Sequence, residues 1–124
     1  MKKKIIIIEH EAEFQDMIIN SLSEAGFEVM LAKDGETGLE LIKKEKPSLV
    51  LLNPYSPRLD GFNLLEKLKQ DNNCKNIPAL ILIHLEDLNE AEKVLRLGGA
   101  TYLVKEELDG NKILNMVNQA INQN

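Results

Sequence analysis

The sequence predicts an α/β domain of five βα units, with a parallel five-stranded sheet in the order 2-1-3-4-5 and helices wound on both faces. Three observations carry this. Apolar runs of four or five residues alternate, five times over, with longer stretches of helical period. Such alternation implies right-handed crossovers between parallel strands. The first, third and fourth runs are continuously apolar, as strands covered on both faces must be, whereas the second and fifth are mixed and belong at the edges.

The elements follow in order. Ile5 to Ile8 form the first strand, led in by Lys2, Lys3 and Lys4. Its apolar part is shorter than the core of a secretory signal, and Glu9 ends it, so the basic cluster is the solvated start of a strand. Phe14, Met17, Ile18, Leu22 and Ala25 recur at helical spacing until Gly26 stops the helix. In the second strand, Phe27 to Leu31, three apolar residues alternate with Glu28 and Met30. Asp34 caps a second helix that buries Leu39 and Ile42 and ends before Pro47. Leu49 to Leu52 make the third strand. Asp60-Gly61 starts a third helix marked by Leu64, Leu65 and Leu68. Ala79 to Ile83 form the fourth strand. Leu88, Ala91, Val94 and Leu95 mark a fourth helix closed by Gly98-Gly99. Ala100 to Val104 form the fifth strand, and Asp109 opens a last helix carrying Ile113, Leu114, Val117, Ala120 and Ile121.

Composition narrows the function. A chain of 124 residues, 44% hydrophobic and 28% charged, is one globular domain spanning 1–124. Its net charge of −5 gives no basis for binding nucleic acid or an anionic membrane, and no apolar stretch is long enough to span a bilayer. Cys74 is the single cysteine, which excludes an internal disulfide and fits a reducing cytoplasm. It falls in the polar run Asp71 to Asn76 and is expected to be an ordinary surface thiol. The polar finish from Asn118 to Asn124 leads us to expect no attached output domain.

A parallel sheet of this flavodoxin-like order gathers its chemistry where the first and third strands part, at their carboxyl ends. Glu9, His10, Glu11 and Asn53 are expected there, with Ile83, His84 and Lys105 on the neighbouring strand ends. Asn53 is the most telling of these. A carboxylate at that position could attack phosphorus; an amide cannot.

The residues from Pro47 through Asn53-Pro54 to Phe62 resemble the phosphoacceptor strand and loop of two-component response-regulator receiver domains. Ile77-Pro78, the run Gly99 to Lys105 and the opening Lys4 to Glu11 are similar to the same family. The resemblance covers essentially the whole chain. It implies an acidic pair that holds Mg²⁺, an aspartate that accepts a phosphoryl group, and a hydroxyl and a lysine that bind it. Carried over by position, Glu9 keeps one acid and His10 replaces the other. Asn53 replaces the acceptor, Ile83 the hydroxyl, and Lys105 is kept. Tyr102 stands at the family's aromatic switch position.

Each departure has a consequence. Asn53 lacks a nucleophilic oxygen, and Pro54 has no backbone N–H with which to close the cyclic imide of deamidation. Mg²⁺ wants hard oxygen ligands, so its binding is expected to be weak or absent. Ile83 cannot hydrogen-bond a phosphoryl oxygen, which breaks the link to Tyr102. Glu106 follows Lys105 where the family commonly has a cis proline. A non-proline cis bond costs roughly 3–4 kcal/mol, so a trans bond and a reshaped loop are expected. Lys105 then becomes a structural cation offsetting Glu9, worth little if exposed.

Glu9, His10 and His84 admit two readings: a transition-metal site, or hydrogen-bonded, partly exposed histidines. Their spacing matches no metal motif, which favours the second. If both histidines face one crevice, a pH-sensitive interaction surface is a further reading. Arg58 is expected to be solvated. Tyr102 is either a partner-contact residue on the face of the fourth helix, fifth strand and fifth helix, or edge-strand packing.

The reading as a whole is a non-enzymatic signalling module with no catalytic residues. It acts by contact with a protein partner, such as a histidine kinase or an output protein, through that face and without phosphorylation. Two alternatives stand beside it: a phosphorelay receiver whose acceptor aspartate is changed to asparagine, and a small-molecule or metal sensor using the vacated crevice.

Overall fold

The computed structural model describes residues 2–58, 60–97 and 100–122. In chain order the elements are β1 (Lys4–Ile8), α1 (Ala12–Glu24), β2 (Glu28–Ala32), α2 (Gly35–Glu45), β3 (Leu49–Leu52), α3 (Gly61–Gln70), β4 (Ala79–Ile83), α4 (Leu88–Leu97), β5 (Thr101–Val104) and α5 (Gly110–Asn122). One-turn 3-10 segments, Leu85–Asp87 and Lys105–Glu107, precede α4 and α5. All strands pair in parallel in the order β2-β1-β3-β4-β5, so the mixed runs do lie at the edges.

Successive strand side chains point to opposite faces, so each central strand feeds two cores. Ile6, Ile8, Val50, Leu52, Ile81 and Ile83 pack under α2, α3 and α4. Ile5, Ile7, Leu49, Leu51, Leu80 and Leu82 pack under α1 and α5. The four isoleucines of β1 are fully buried, each contributing about 1.5–3 kcal/mol of transfer free energy. This two-sided demand is what makes the central runs continuously apolar. At the edge, Met30 is not a solvent-facing residue. It packs on the α2 side, while Val29 and Leu31 pack on the α1 side.

Local signals set the helix ends. Gly26, at φ 95, turns the chain out of α1 in a conformation that an L side chain resists. The Asp34 carboxylate accepts from Thr37 N (2.9 Å) and caps α2. Pro47 disfavours the right-handed region for the residue before it, and Lys46 closes α2 in the left-handed region at φ 45. Asp60 caps α3 through Phe62 N and Asn63 N, and Asp109 accepts from Lys112 N at the start of α5. At Gly61 a side chain is excluded: a Cβ would overlap the Pro54 backbone, so α3 docks directly on the loop that follows β3.

Two boundaries move by one residue: β2 runs Glu28–Ala32 and β5 starts at Thr101. The expected close of α4 at Gly98-Gly99 and the side chain of Val94 lie outside the described residues. Cys74 contradicts its expectation. The loop after α3 coils back through Cys74 N and Lys75 N onto Asp71 O, which turns the thiol inward. Cys74 is buried in the α2–α4 core. Polar neighbours in sequence hid an apolar site in space.

Candidate functional site

The carboxyl ends of β1 and β3 part as expected, and Glu9 sits between them with no solvent exposure. Its backbone is held by Glu9 N to Ala32 O, and that of Asn53 by Asn53 N to Ile8 O (2.9 Å). Glu9 Oε2 turns back on its own loop and accepts from His10 N (2.8 Å) and Glu11 N (3.0 Å). A third donor arrives from across the crevice, Asn53 Nδ2 at 3.1 Å.

Both polar side-chain atoms of Asn53 are engaged. Its amide nitrogen serves Glu9, and its Oδ1 accepts from Tyr55 N (2.9 Å), closing an Asx turn. Its backbone carbonyl accepts from Ser56 Oγ (2.8 Å), a buried hydroxyl absent from the expected site. An aspartate here would keep the Tyr55 bond and lose the one to Glu9. It would also set two carboxylates against each other.

Lys105 is buried, not an exposed cation of small consequence. Its Nζ touches Glu9 Oε1 and lies 2.7 Å from Glu11 Oε1. It also stands 4.5 Å from the Phe14 ring centroid, a cation–π contact made where water is excluded. Glu9 Oε1 accepts no well-angled hydrogen bond, so the ammonium charge itself is what offsets it. The Lys105–Glu106 bond is trans, as expected.

A second cluster continues outward from Glu11. His84 Nε2 lies 2.6 Å from Glu11 Oε1, and His84 Nδ1 lies 2.9 Å from Glu106 Oε2. Glu106 Oε1 accepts from Leu85 N (2.8 Å). The edge of the Phe14 ring meets the imidazole at 5.8 Å between centroids. A neutral imidazole has one N–H, yet both ring nitrogens face carboxylate oxygens, so the arrangement calls for the imidazolium. Partial burial opposes that charge; the bonds to Glu106 and Glu11 outweigh it and raise the pKa above the ordinary 6.5. Burial likewise pushes the Glu11 carboxyl up, but the Lys105 and His84 bonds prevail and hold it below its ordinary 4.5. The Leu85 N–H and then His84 lower Glu106.

Of the residues expected at the crevice, Glu9, Glu11, Asn53, His84 and Lys105 form one connected network. His10 stands at its rim, its side chain 39% exposed and its Nδ1 3.7 Å from Glu9 Oε2. Ile83 is part of the α2–α4 core rather than the crevice wall. Tyr102 is half-buried and packs against that same core. Arg58 is exposed, with its guanidinium 3.7 Å from Asp34. Glu9, His10 and His84 do not converge. Among the described residues no three His, Cys, Asp or Glu side chains form a metal-binding group.

For a hard divalent cation the donor set is a poor fit. The position beside Glu9 holds an ammonium, Asn53 presents its N–H₂ to the acid, and His10 brings a nitrogen ligand from the exposed rim. Sequence reasoning missed Glu106, Phe14 and Ser56 as members of the network. Glu106 had a signal, an acid directly after the lysine where a proline was expected. Phe14 and Ser56 had none, since one scans as core and the other as loop.

Comparison with known proteins agrees with this architecture. The profile of the family described as "Response regulator receiver domain" matches residues 5–118. A relative from Porphyridium aerugineum named "Probable transcriptional regulator ycf27" is 35% identical over 104 residues, covering 84% of this chain and 42% of its own length. The chain therefore spans less than half the length of the curated relatives it matches first. Among solved structures, the chemotaxis response regulator CheY4 of Vibrio cholerae superposes with a TM-score of 0.86 at 21% identity, covering 97% of this chain and 99% of that one. The receiver domain of a Pseudomonas aeruginosa sensor histidine kinase does so with a TM-score of 0.87 at 20% identity, covering 98% and 99%. That structure has a magnesium ion coordinated in its active-site cleft. No helix of the described residues is long and apolar enough to cross a membrane. With this sheet order, these strand-end residues and a profile match over nearly its full length, the chain belongs to the response regulator receiver domain family.

Proposed function

We propose that this receiver domain signals by contact with a protein partner and is not switched by phosphoryl transfer at Asn53. The observation that carries this is the hydrogen bond from Asn53 Nδ2 to Glu9 Oε2 (3.1 Å). The acceptor position is occupied by a donor group turned toward the acid, the reverse of what a nucleophile for phosphorus requires.

Two further features support the reading. Lys105 contacts Glu9 and Glu11, so the acids that would recruit Mg²⁺ already have a resident counter-charge. Displacing that buried ammonium would cost the metal more than the weak oxygen set returns. Ile83 is buried in the core, with no hydroxyl at the end of β4 to bind a phosphoryl group. Taken together, Asn53, Ile83 and His10 fit a domain reworked around its own charges better than a phosphorelay receiver with one altered acceptor. Nor does a metal sensor gain support, because the ring nitrogens of His84 are both engaged by carboxylates.

The partner face expected from the sequence, α4, β5 and α5, carries Tyr102 half-exposed at the sheet edge. We retain it as the surface for a kinase or output protein. The test of the reading is incubation with acetyl phosphate and Mg²⁺, followed by intact-mass measurement. We expect an unchanged mass; a phosphoryl adduct that is lost on mild alkaline treatment overturns the reading.

A further inference from the structure

Tyr55 and Leu85 are the two large apolar side chains standing exposed among the described residues, at 44% and 58%. They belong to different loops, Tyr55 to the turn after β3 and Leu85 to the 3-10 segment after β4. β3 and β4 pair side by side, with Leu52 opposite Ile81, so the loops that leave their carboxyl ends are neighbours. The Tyr55 hydroxyl has its pKa raised by partial burial and then by the nearby charges of Asp87 and Glu90. The strand register thus places Tyr55 on the side of the 3-10 segment, and the charges of Asp87 and Glu90 felt at its hydroxyl agree with that placement.

Both anchors are held by their own backbones. Tyr55 N donates to Asn53 Oδ1, and the ring packs edge-on against Phe62 at 6.0 Å. Leu85 N donates to Glu106 Oε1. An exposed apolar side chain on a fixed backbone loses little freedom when a partner covers it, which removes a main cost of association.

Beyond the His84–Glu106 pair, the charges around this patch are acidic. Glu86, Asp87 and Glu90 lie along the 3-10 segment and the start of α4, and Glu106 stands behind Leu85. Among the described residues no lysine or arginine pairs with Glu86, Asp87 or Glu90. A rigid aromatic and a leucine set in unpaired carboxylates are complementary to a cation beside an apolar group. An arginine suits it best, since its guanidinium can lie on the Tyr55 face while bonding to Asp87 or Glu90.

We propose that Tyr55, Leu85 and the carboxylates of Asp87 and Glu90 form a docking surface for a partner-protein segment carrying an arginine next to a large apolar side chain. This rests on the protein-contact reading above, and it places a contact at the crevice mouth that shares only the first turn of α4 with the α4–β5–α5 face. The chain's own basic cluster, Lys2 to Lys4, lies at the opposite end of β1, so a second copy is the less complementary occupant.

The test is selection of random linear peptides on the purified chain, followed by titration of a synthesised winner into isotopically labelled protein. Winners should combine arginine with an aromatic or aliphatic residue and should shift the amides of residues 55 and 85–90. Their affinity should fall about tenfold or more for Tyr55→Ala and for Glu90→Lys, and should weaken with added salt. Glu90 is solvent-facing, so Glu90→Lys should melt like the parent chain and separates lost binding from the packing on Phe62 that Tyr55→Ala also removes. Acidic or charge-free winners, no winners, self-association through this patch, or shifts confined to residues 91–104 and 110–122 each overturn the surface. The last outcome would still leave the protein-contact reading standing, whereas a phosphoryl adduct in the mass assay removes that reading without touching the peptide result.

Discussion

Asn53 Nδ2 donates to Glu9 Oε2 across 3.1 Å, and Glu9 has no exposure to water. An amide at this position is thus a working partner of a buried carboxylate. Replacing Asn53 with aspartate exchanges that bond for repulsion between two acids. We predict that Asn53→Asp destabilises the fold by about 3 kcal/mol, a fall in melting temperature of roughly 10 °C. Mg²⁺ should restore part of the loss in the variant and leave the parent unchanged. Thermal melts with and without Mg²⁺ check this, and a variant as stable as the parent contradicts it.

Lys105 is the counter-charge on which the site depends. Lys105→Met leaves Glu9 buried opposite an apolar chain, a change that costs about 3–5 kcal/mol when one partner of a buried ion pair is removed. Adding Glu9→Gln should recover a large part of that cost, because the uncompensated charge is gone. Urea unfolding of the single and double variants measures both. A loss below about 1 kcal/mol, the range of exposed pairs, would place Lys105 in solvent.

His84 makes stability depend on pH in a defined direction. Glu11, Glu106, Lys105 and the Phe14 edge face the ring. Its pKa is raised in the folded state, so its contribution is fully present below the ordinary value of 6.5 and is lost as pH rises through the folded value. Glu11 behaves oppositely: its depressed pKa gives stability that is present above 4.5 and lost as pH falls through the folded value. We predict a decline in stability above pH 6.5 that His84→Gln flattens. An imidazole titration by NMR fixes the pKa directly, and a midpoint at or below 6.5 contradicts the clasp.

Cys74 should be slow to react in the native protein. It is buried, and burial first, then Asp71, raises its thiol pKa. Labelling with a thiol-disulfide reagent should run on the order of a hundredfold slower than in urea. Equal rates would return the thiol to the surface that its sequence neighbours suggest.

What was legible in the sequence was whatever repeats or punctuates. The two-sided apolar runs gave the strand order, since Ile5 to Ile8 and Leu49 to Leu52 suit only central strands. Asp34, Asp60 and Asp109 marked helix starts, and Gly26 a helix end. Asn53 and Lys105 could be placed because strand ends converge in this topology. Which side chains would pair there was not legible. The Lys105–Glu11 and His84–Glu106 contacts link residues 94 and 22 positions apart, and both depend on how a trans Lys105–Glu106 bond shapes the turn into α5. Cys74 was missed for the same reason: a single tight turn, invisible to composition, decides whether a loop residue faces in or out.

We propose a crevice neutralised from within, with no place for a metal ion and phosphoryl group. Amide shifts recorded with Mg²⁺ and beryllium trifluoride, a stable mimic of the phosphoryl group, address it most directly. We predict no change at residues 9–11, 53 and 83–85 and an undisturbed Lys105. Saturable shifts at those positions, with release of Lys105 from Glu9, would contradict it.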